Sequence, residues 1–237
     1  MPVHSSDGAR PGGEIVSVVE ALAGRLIVSC QASVGSPLRD TPTIARLAAS
    51  ALRGGAAALR INGVADIAAV RESTQHPIIG LDKRMGERRN VITQTDEQVL
   101  ALVRAGADIV AIDATVEVVS DVASRVRSAV AHAGVPVMAD VSTLAEGLAA
   151  WDAGASFVGT TLSGYTPYSP SKSGPDLDLV ARLTARGVRV LAEGRFQTPV
   201  DVAAAFEAGA HAVVVGGAIT DPIAITRRFA AAAPGPR

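Results

Sequence analysis

A lysine in PIIGLDKR, Lys83, and a glutamate in VRVLAEGR, Glu193, each close an apolar run. Brought together, those two residue types can move a proton. At the end of a buried strand, desolvation and a nearby cation such as Arg60 lower a lysine's pKa toward neutrality, so that Lys83 can act as a general base or form a Schiff base. Taken singly, Lys83 equally fits a strand-end lysine reaching for solvent, and Glu193 a structural ion pair; their convergence on one mouth argues for chemistry. Arg60 in AALRING offers a planar fork of donors to a hydroxyl or carboxylate, and Gln31 in LIVSCQ both donates and accepts, as sugar hydroxyls require. Asp140 in PVMADVST is either a substrate contact or the cap of the next helix, three residues before Thr143, with the cap favoured on the segment alone. Asp113 in IVAIDAT carries a similar but less specific choice, and its plainest reading is an orienting hydrogen bond inside the mouth.

Those residues need a scaffold that gathers them. Eight short apolar runs recur at intervals of roughly two to three dozen residues and end near Gln31, Arg60, Lys83, Asp113, Asp140, Thr160, Glu193 and Gly216. Their near-continuous Val, Ile, Leu and Ala content suits parallel strands buried on both faces. Between them lie stretches of helical spacing, among them Thr43 to Leu52, Glu97 to Arg104, Thr143 to Trp151, Leu177 to Arg186 and Pro199 to Glu207. Eight βα units in 237 residues favour a single-domain α/β protein with a closed (β/α)8 TIM barrel over an open doubly wound sheet. In a barrel the strand C-termini converge on one face, which turns the eight endings into one site.

A weak repeat accompanies the pattern. Gly-Ala precedes runs two, four, six and eight at Gly55, Gly106, Gly154 and Gly209, where glycine would end the preceding helix in a left-handed cap. Runs seven and eight close in Gly194-Arg195 and Gly216-Gly217, and the loops after those strands are where barrels often bind phosphate, through backbone N–H groups and the dipole of a following helix. The stretch Thr160 to Gly174 holds both tyrosines, Tyr165 and Tyr168, and is expected to be a lid. Residues 1–13 and 233–237 are expected to be frayed tails around a catalytic domain at 14–232.

Composition removes other classes. A net charge of -1 and 3% aromatic residues give neither a basic stripe nor a stacking platform, so nucleic acid is not the expected partner. A lone Cys30 excludes an intrachain disulfide, and the absence of a membrane-length apolar run points to a cytoplasmic protein. Cys30 reads as a packed strand residue with no histidine to activate it. His76, His132 and His211 precede strands and His4 lies in the tail, so the mouth lacks histidine ligands and no metal is expected. No GxGxxG follows the first strand, and no nicotinamide or other cofactor is expected.

In this order the pieces IVSCQ with SPL, LRINGV, PIIGLDKR, ADIVAIDAT, MADVST, GTTLSGYT, LAEGRFQTP and VVVGGAIT resemble the bacterial N-acetylmannosamine-6-phosphate 2-epimerases from about Gly24 to Phe229. The resemblance implies a barrel that interconverts N-acetyl-D-mannosamine 6-phosphate and N-acetyl-D-glucosamine 6-phosphate in sialic acid breakdown, as a homodimer needing neither metal nor nicotinamide. It places the catalytic lysine and glutamate on Lys83 and Glu193, sugar contacts on Gln31, Arg60 and Asp140, and phosphate loops on Gly194-Arg195 and Gly216-Gly217. Two positions depart from the family pattern. Asp221 follows GGAIT where the family usually has an arginine, and Met85-Gly86 follow KR where an acidic residue and a tyrosine are common. A carboxylate near a phosphate is repulsive, so Asp221 must point away or be offset by Arg195, Arg227 or Arg228. Two other functions stay open: a Schiff-base lyase or aldolase acting on a phosphorylated sugar or keto acid, and a non-catalytic phosphosugar-binding protein.

Overall fold

The computed structural model describes residues 18–234. The tail expected at 1–13 and the last three residues of the one expected at 233–237 lie outside the described residues. Eight parallel strands close into a barrel: β1 (Arg25–Cys30), β2 (Ala58–Asn62), β3 (Ile78–Leu81), β6 (Ile109–Asp113), β7 (Val137–Asp140), β8 (Phe157–Gly159), β9 (Val190–Glu193) and β10 (Ala212–Val215). Each pairs with its neighbours in chain order, and β10 closes on β1 through Leu26 opposite Val213. The helices between them are α1 (Thr41–Arg53), α2 (Val64–Arg71), α3 (Asp96–Arg104), α4 (Val122–Ala133), α5 (Leu144–Asp152), α6 (Leu177–Thr184), α7 (Pro199–Glu207), the short α8 (Gly217–Thr220) and α9 (Pro222–Ala231). No helix among the described residues is long and apolar enough to cross a membrane.

The strands are apolar throughout because both faces are covered. Ile27, Ile79, Ile109, Met138, Phe157 and Leu191 fill the barrel interior, while Val28, Leu59, Ile78, Val110, Val158 and Val190 pack outward under the helices. At the N-terminal end of the strands Leu22 joins the interior cluster, held there by Gly24 N–H donating to His211 O at 2.8 Å. One end of the barrel is therefore closed by hydrocarbon, and function is left to the other.

The Gly-Ala repeat has a clear backbone cause. Gly55, Gly106, Gly154 and Gly209 have φ of 99°, 105°, 101° and 93°, a region that a side chain would strain. In each unit the following alanine N–H reaches back five residues, as in Ala56 to Ala51 O (3.1 Å) and Ala107 to Leu102 O (3.1 Å), which is the long bond of a Schellman cap. The helices so terminated are α1, α3, α5 and α7, and the last three also begin with a threonine capping box at Thr95, Thr143 and Thr198.

The strand limits differ from the expected endings in two informative places. Arg60 lies in the middle of β2, which continues to Asn62, and β3 stops at Leu81, short of Lys83. Lys83 instead opens an antiparallel hairpin, β4 (Lys83–Met85) with β5 (Asn90–Ile92), inserted before α3. The hairpin explains Gly86: a Cβ there would meet Arg89 O at 2.7 Å and a Val91 methyl at 2.9 Å. Met85 beside it is exposed.

Candidate active site

Side chains of a barrel strand alternate in and out, so the residues two apart that point inward decide what the mouth contains. At the top of the interior these are Arg60, Asp113, Asp140, Thr161 and Glu193. Arg60 is 0% exposed and ion-paired through Nη2 to Asp140 Oδ2 and through Nη1 to Glu193 Oε1. The Thr161 hydroxyl lies 2.6 Å from Asp140 Oδ1 and 3.2 Å from Glu193 Oε2. Gly159 makes room for this arrangement, because a Cβ on it would stand 2.6 Å from Asp140 Oδ1.

Thr160, the residue expected at the end of β8, points the other way. Its hydroxyl accepts from Glu193 N–H (3.0 Å) and donates to Glu193 O (2.9 Å), stapling β8 to β9. Glu193 is thus fixed at its backbone by Thr160 and at its carboxylate by Arg60 and Thr161. Asp140 does not cap a helix: Thr143 does, accepting from Glu146 N–H (3.3 Å) while Glu146 Oε2 accepts from Thr143 N–H (2.9 Å). The inward parity of β7 commits Asp140 to Arg60 instead. Complete burial, reinforced by Glu193 and Asp113, pushes Asp140 up to about 7 against the pull of Arg60 and the Thr161 hydroxyl. The fork of Arg60 expected to face a substrate is occupied by the two carboxylates, so Arg60 and Asp140 form the floor beneath Glu193.

Lys83 stands over that floor. Its backbone N–H donates to Asn62 Oδ1 (2.8 Å), tying the start of the hairpin to the end of β2. Its amine makes no hydrogen bond or ion pair among the described residues. The crowding barrel wall and then the Arg60 charge lower its pKa from the ordinary lysine value, opposed by Glu193 and Asp140. The residue still keeps water-accessible surface at the mouth, so dehydration is partial and the Arg60 repulsion matters to the direction.

Two cavities meet at Lys83 and Gln31. One, about 320 Å³, runs from Lys83 past Ser29, Glu193 and Tyr165 to Gly194-Arg195 and Gly216-Gly217. The other, about 420 Å³, lies over the ends of β1 to β3 between Asn62, Asp82 and Arg39. Both are in the range of small-molecule sites. Gln31 Nε2 donates to Ser29 Oγ (2.8 Å), and its buried Oε1 finds no partner among the described residues.

The glycine-rich end differs in detail from expectation. Gly194 needs its φ of 117°, and its backbone and that of Gly216 border the first cavity. The Arg195 guanidinium, however, donates to Gly174 O (2.8 Å) and Ser163 O (2.6 Å) and lies 5.1 Å from the Tyr165 ring, so it braces the 160–174 loop. The helix that follows Gly216 is a single turn, α8, too short to supply a substantial dipole. Asp221 caps α9, its Oδ1 accepting from Ala224 N–H at 3.1 Å.

The 160–174 loop is pinned internally as well, by Ser163 Oγ to Asp176 Oδ2 (2.6 Å) and Gly164 N–H to Ser169 Oγ (2.8 Å), and it places Tyr165 in the cavity wall. Asp113 accepts hydrogen bonds from Arg89 (2.7 Å) and from the Thr115 hydroxyl (2.7 Å), which tie it to the hairpin and to the loop after β6. Burial raises the Cys30 thiol to about 12, which makes it a packed core residue. Thr161, Asn62 and Arg89 were not singled out from the sequence; counting inward positions by twos from Phe157 reaches Thr161, whereas Arg89 lies in a hairpin that carries no periodic signal.

Comparison with known proteins bears on the family and the fold. A family model described as "NanE: Putative N-acetylmannosamine-6-phosphate epimerase" matches residues 44–234. The protein named "Putative N-acetylmannosamine-6-phosphate 2-epimerase" from Caldanaerobacter subterraneus subsp. tengcongensis is 44% identical over 90% of this chain and 93% of its own length. Its namesake from Cutibacterium acnes is 41% identical over 90% and 95%. The solved N-acetylmannosamine-6-phosphate 2-epimerase from Clostridium perfringens superposes with a TM-score of 0.84 at 37% identity, covering 98% of this chain and all of that one. With a family match across most of its length and relatives above two-fifths identity, this chain belongs to the NanE epimerase family.

Proposed function

We propose that this protein interconverts N-acetyl-D-mannosamine 6-phosphate and N-acetyl-D-glucosamine 6-phosphate by metal-independent proton transfer at C2, in the cytoplasm, as a step of sialic acid and amino sugar breakdown. The observation that carries the reading is the unpartnered, weakened Lys83 amine set beside a Glu193 fixed from both sides. Family membership supplies the substrate.

The C2 proton is acidic only when C1 is a carbonyl, so the sugar must be open-chain in the site. Neutral Lys83 removes the proton as general base. The ammonium so formed stays beside the developing enolate and opposes its charge. Return of the proton to the opposite face, from Lys83 or through a substrate hydroxyl, completes epimerisation. Gln31 meets the sugar hydroxyls, while the backbones of Gly194, Arg195, Gly216 and Gly217 meet the phosphate. Arg60 and Asp140 act from below, aligning Glu193 to hold the sugar against Lys83.

The test is NMR of N-acetylmannosamine 6-phosphate in deuterated water with purified protein and a chelator. Conversion to the glucosamine epimer with deuterium at C2 is expected, and Lys83→Ala should reduce both by at least about 100-fold. Exchange at a near wild-type rate in Lys83→Ala would overturn the assignment. The same free amine would serve Schiff-base chemistry, in which case borohydride with substrate traps an adduct on Lys83; the proton-transfer reading expects none.

A homodimer accords with α9, on which no residue is buried and Ile223 and Phe229 are exposed. Sedimentation of wild type and Phe229→Asp tests that contact.

A further inference from the structure

The cavity end away from Lys83 is walled by the two glycine pairs, Thr220 and Asp221. A phosphate dianion there meets the Asp221 carboxylate and needs a cation. Two nearby arginines are already engaged: Arg195 by the carbonyls of Gly174 and Ser163, and Arg228 by Gln197 Oε1. Arg227 is not. It makes no hydrogen bond or ion pair among the described residues, and its side chain is exposed.

With Ile223, one helical turn earlier on α9, Arg227 lines a cavity of about 260 Å³ that shares Gln31, Ser33, Thr220 and Asp221 with the first. Arg227 therefore lines the space next to the phosphate end, with Thr220 and Asp221 shared between the two. Asp221 has a part in this placement, since its cap fixes the start of the helix that carries Arg227.

We propose that Arg227 is the guanidinium that grips the substrate phosphate, reaching past Asp221 when the anion enters. The proposal rests on the phosphorylated-sugar reading above. Arginine suits the task because its planar fork donates to two phosphate oxygens at once. Asp221 tempers the affinity by its charge while holding the helix in place.

The experiment pairs steady-state kinetics with titration of inorganic phosphate followed by NMR. Arg227→Gln should raise KM for N-acetylmannosamine 6-phosphate about tenfold or more, weaken phosphate binding by a similar factor, and leave kcat within about twofold. Arg228→Gln should change either affinity by less than about twofold. Asp221→Asn, which keeps a capping side chain, should tighten phosphate binding without lowering the melting temperature. Unchanged phosphate binding in Arg227→Gln overturns the proposal, as does equal weakening by Arg227→Gln and Arg228→Gln, which would mark a diffuse charge effect. If wild type produced no epimer, the function would fail, while the phosphate titration would still report on Arg227.

Discussion

Arg60 and Arg89 each hold an aspartate from a strand end together with a glutamate; the carboxylates of the two clusters are equally buried, yet the arginines differ in exposure and the clusters in what they position. Arg60, with Asp140 and Glu193, projects from the middle of β2, and its side chain is 1% exposed. Arg89, with Asp113 at 2.7 Å and Glu117 at 2.8 Å, comes from the hairpin turn, and its side chain is 12% exposed. Arg89 also donates to Asn90 O (2.9 Å) and to the Thr115 hydroxyl (2.9 Å), so its bonds fasten an inserted element to the barrel rim. The bonds of Arg60 orient a carboxylate that borders the cavity. The same charge motif does structural work at the rim and alignment work at the centre, and depth decides which.

The largest effect should separate the two arginines directly. Arg60→Met leaves the buried Asp140 and the partly exposed Glu193 without their cation and is expected to cost roughly 3–5 kcal/mol of stability and nearly all C2 exchange. Arg89→Met removes a cation that keeps some contact with water and leaves Asp113 both of its bonds from Thr115, so it should cost about 1–3 kcal/mol and retain measurable turnover. Denaturant melts and deuterium incorporation check both; equal losses in the two variants would break the distinction.

A second effect is on pH dependence. Only the neutral Lys83 amine removes a proton, so kcat/KM should climb with pH and level off above the Lys83 pKa, below the ordinary lysine value of about 10.4. Because the Arg60 charge lowers that pKa and Arg89 is not among its causes, the residual exchange of Arg60→Met should show the limb moved upward. Arg89→Met should leave it in place. A limb at the same pH in wild type and Arg60→Met would mean that Lys83 does not sense the buried cation.

The smallest effect concerns the hydroxyl that serves the central cluster alone. Thr161→Val keeps shape but removes a hydrogen bond worth on the order of 1 kcal/mol, so kcat should fall about five- to tenfold with little change in KM. A loss confined to KM would place Thr161 in substrate capture instead.

Much of the barrel is legible in the chain because its physics is local. Parallel strands covered on both faces must be apolar throughout, and four helices end on glycine because φ near 100° requires it. The site was legible in its residue types and less so in its wiring. That Arg60 spends its fork on Asp140, 80 residues away, and on Glu193, further still, is a pairing that no local pattern encodes. The run that ends near Thr160 does not disclose Thr161, because an apolar run shows where a strand stops but not which face the next residues take. The hairpin escaped because two three-residue strands are too short to establish a period. Asp221 looked anomalous as a lone charge and reads plainly once α9 begins at Pro222.

The sealing of Arg60 has a further consequence, for the response to ionic strength. Mobile ions screen only charges they can approach, and the Arg60 guanidinium has essentially no surface open to them. The alignment of Glu193 is therefore insulated from the salt content of its surroundings, whereas capture of a doubly charged substrate at the open rim is not. Added salt acts on how often the sugar phosphate arrives and stays, and leaves the geometry in which its proton moves untouched.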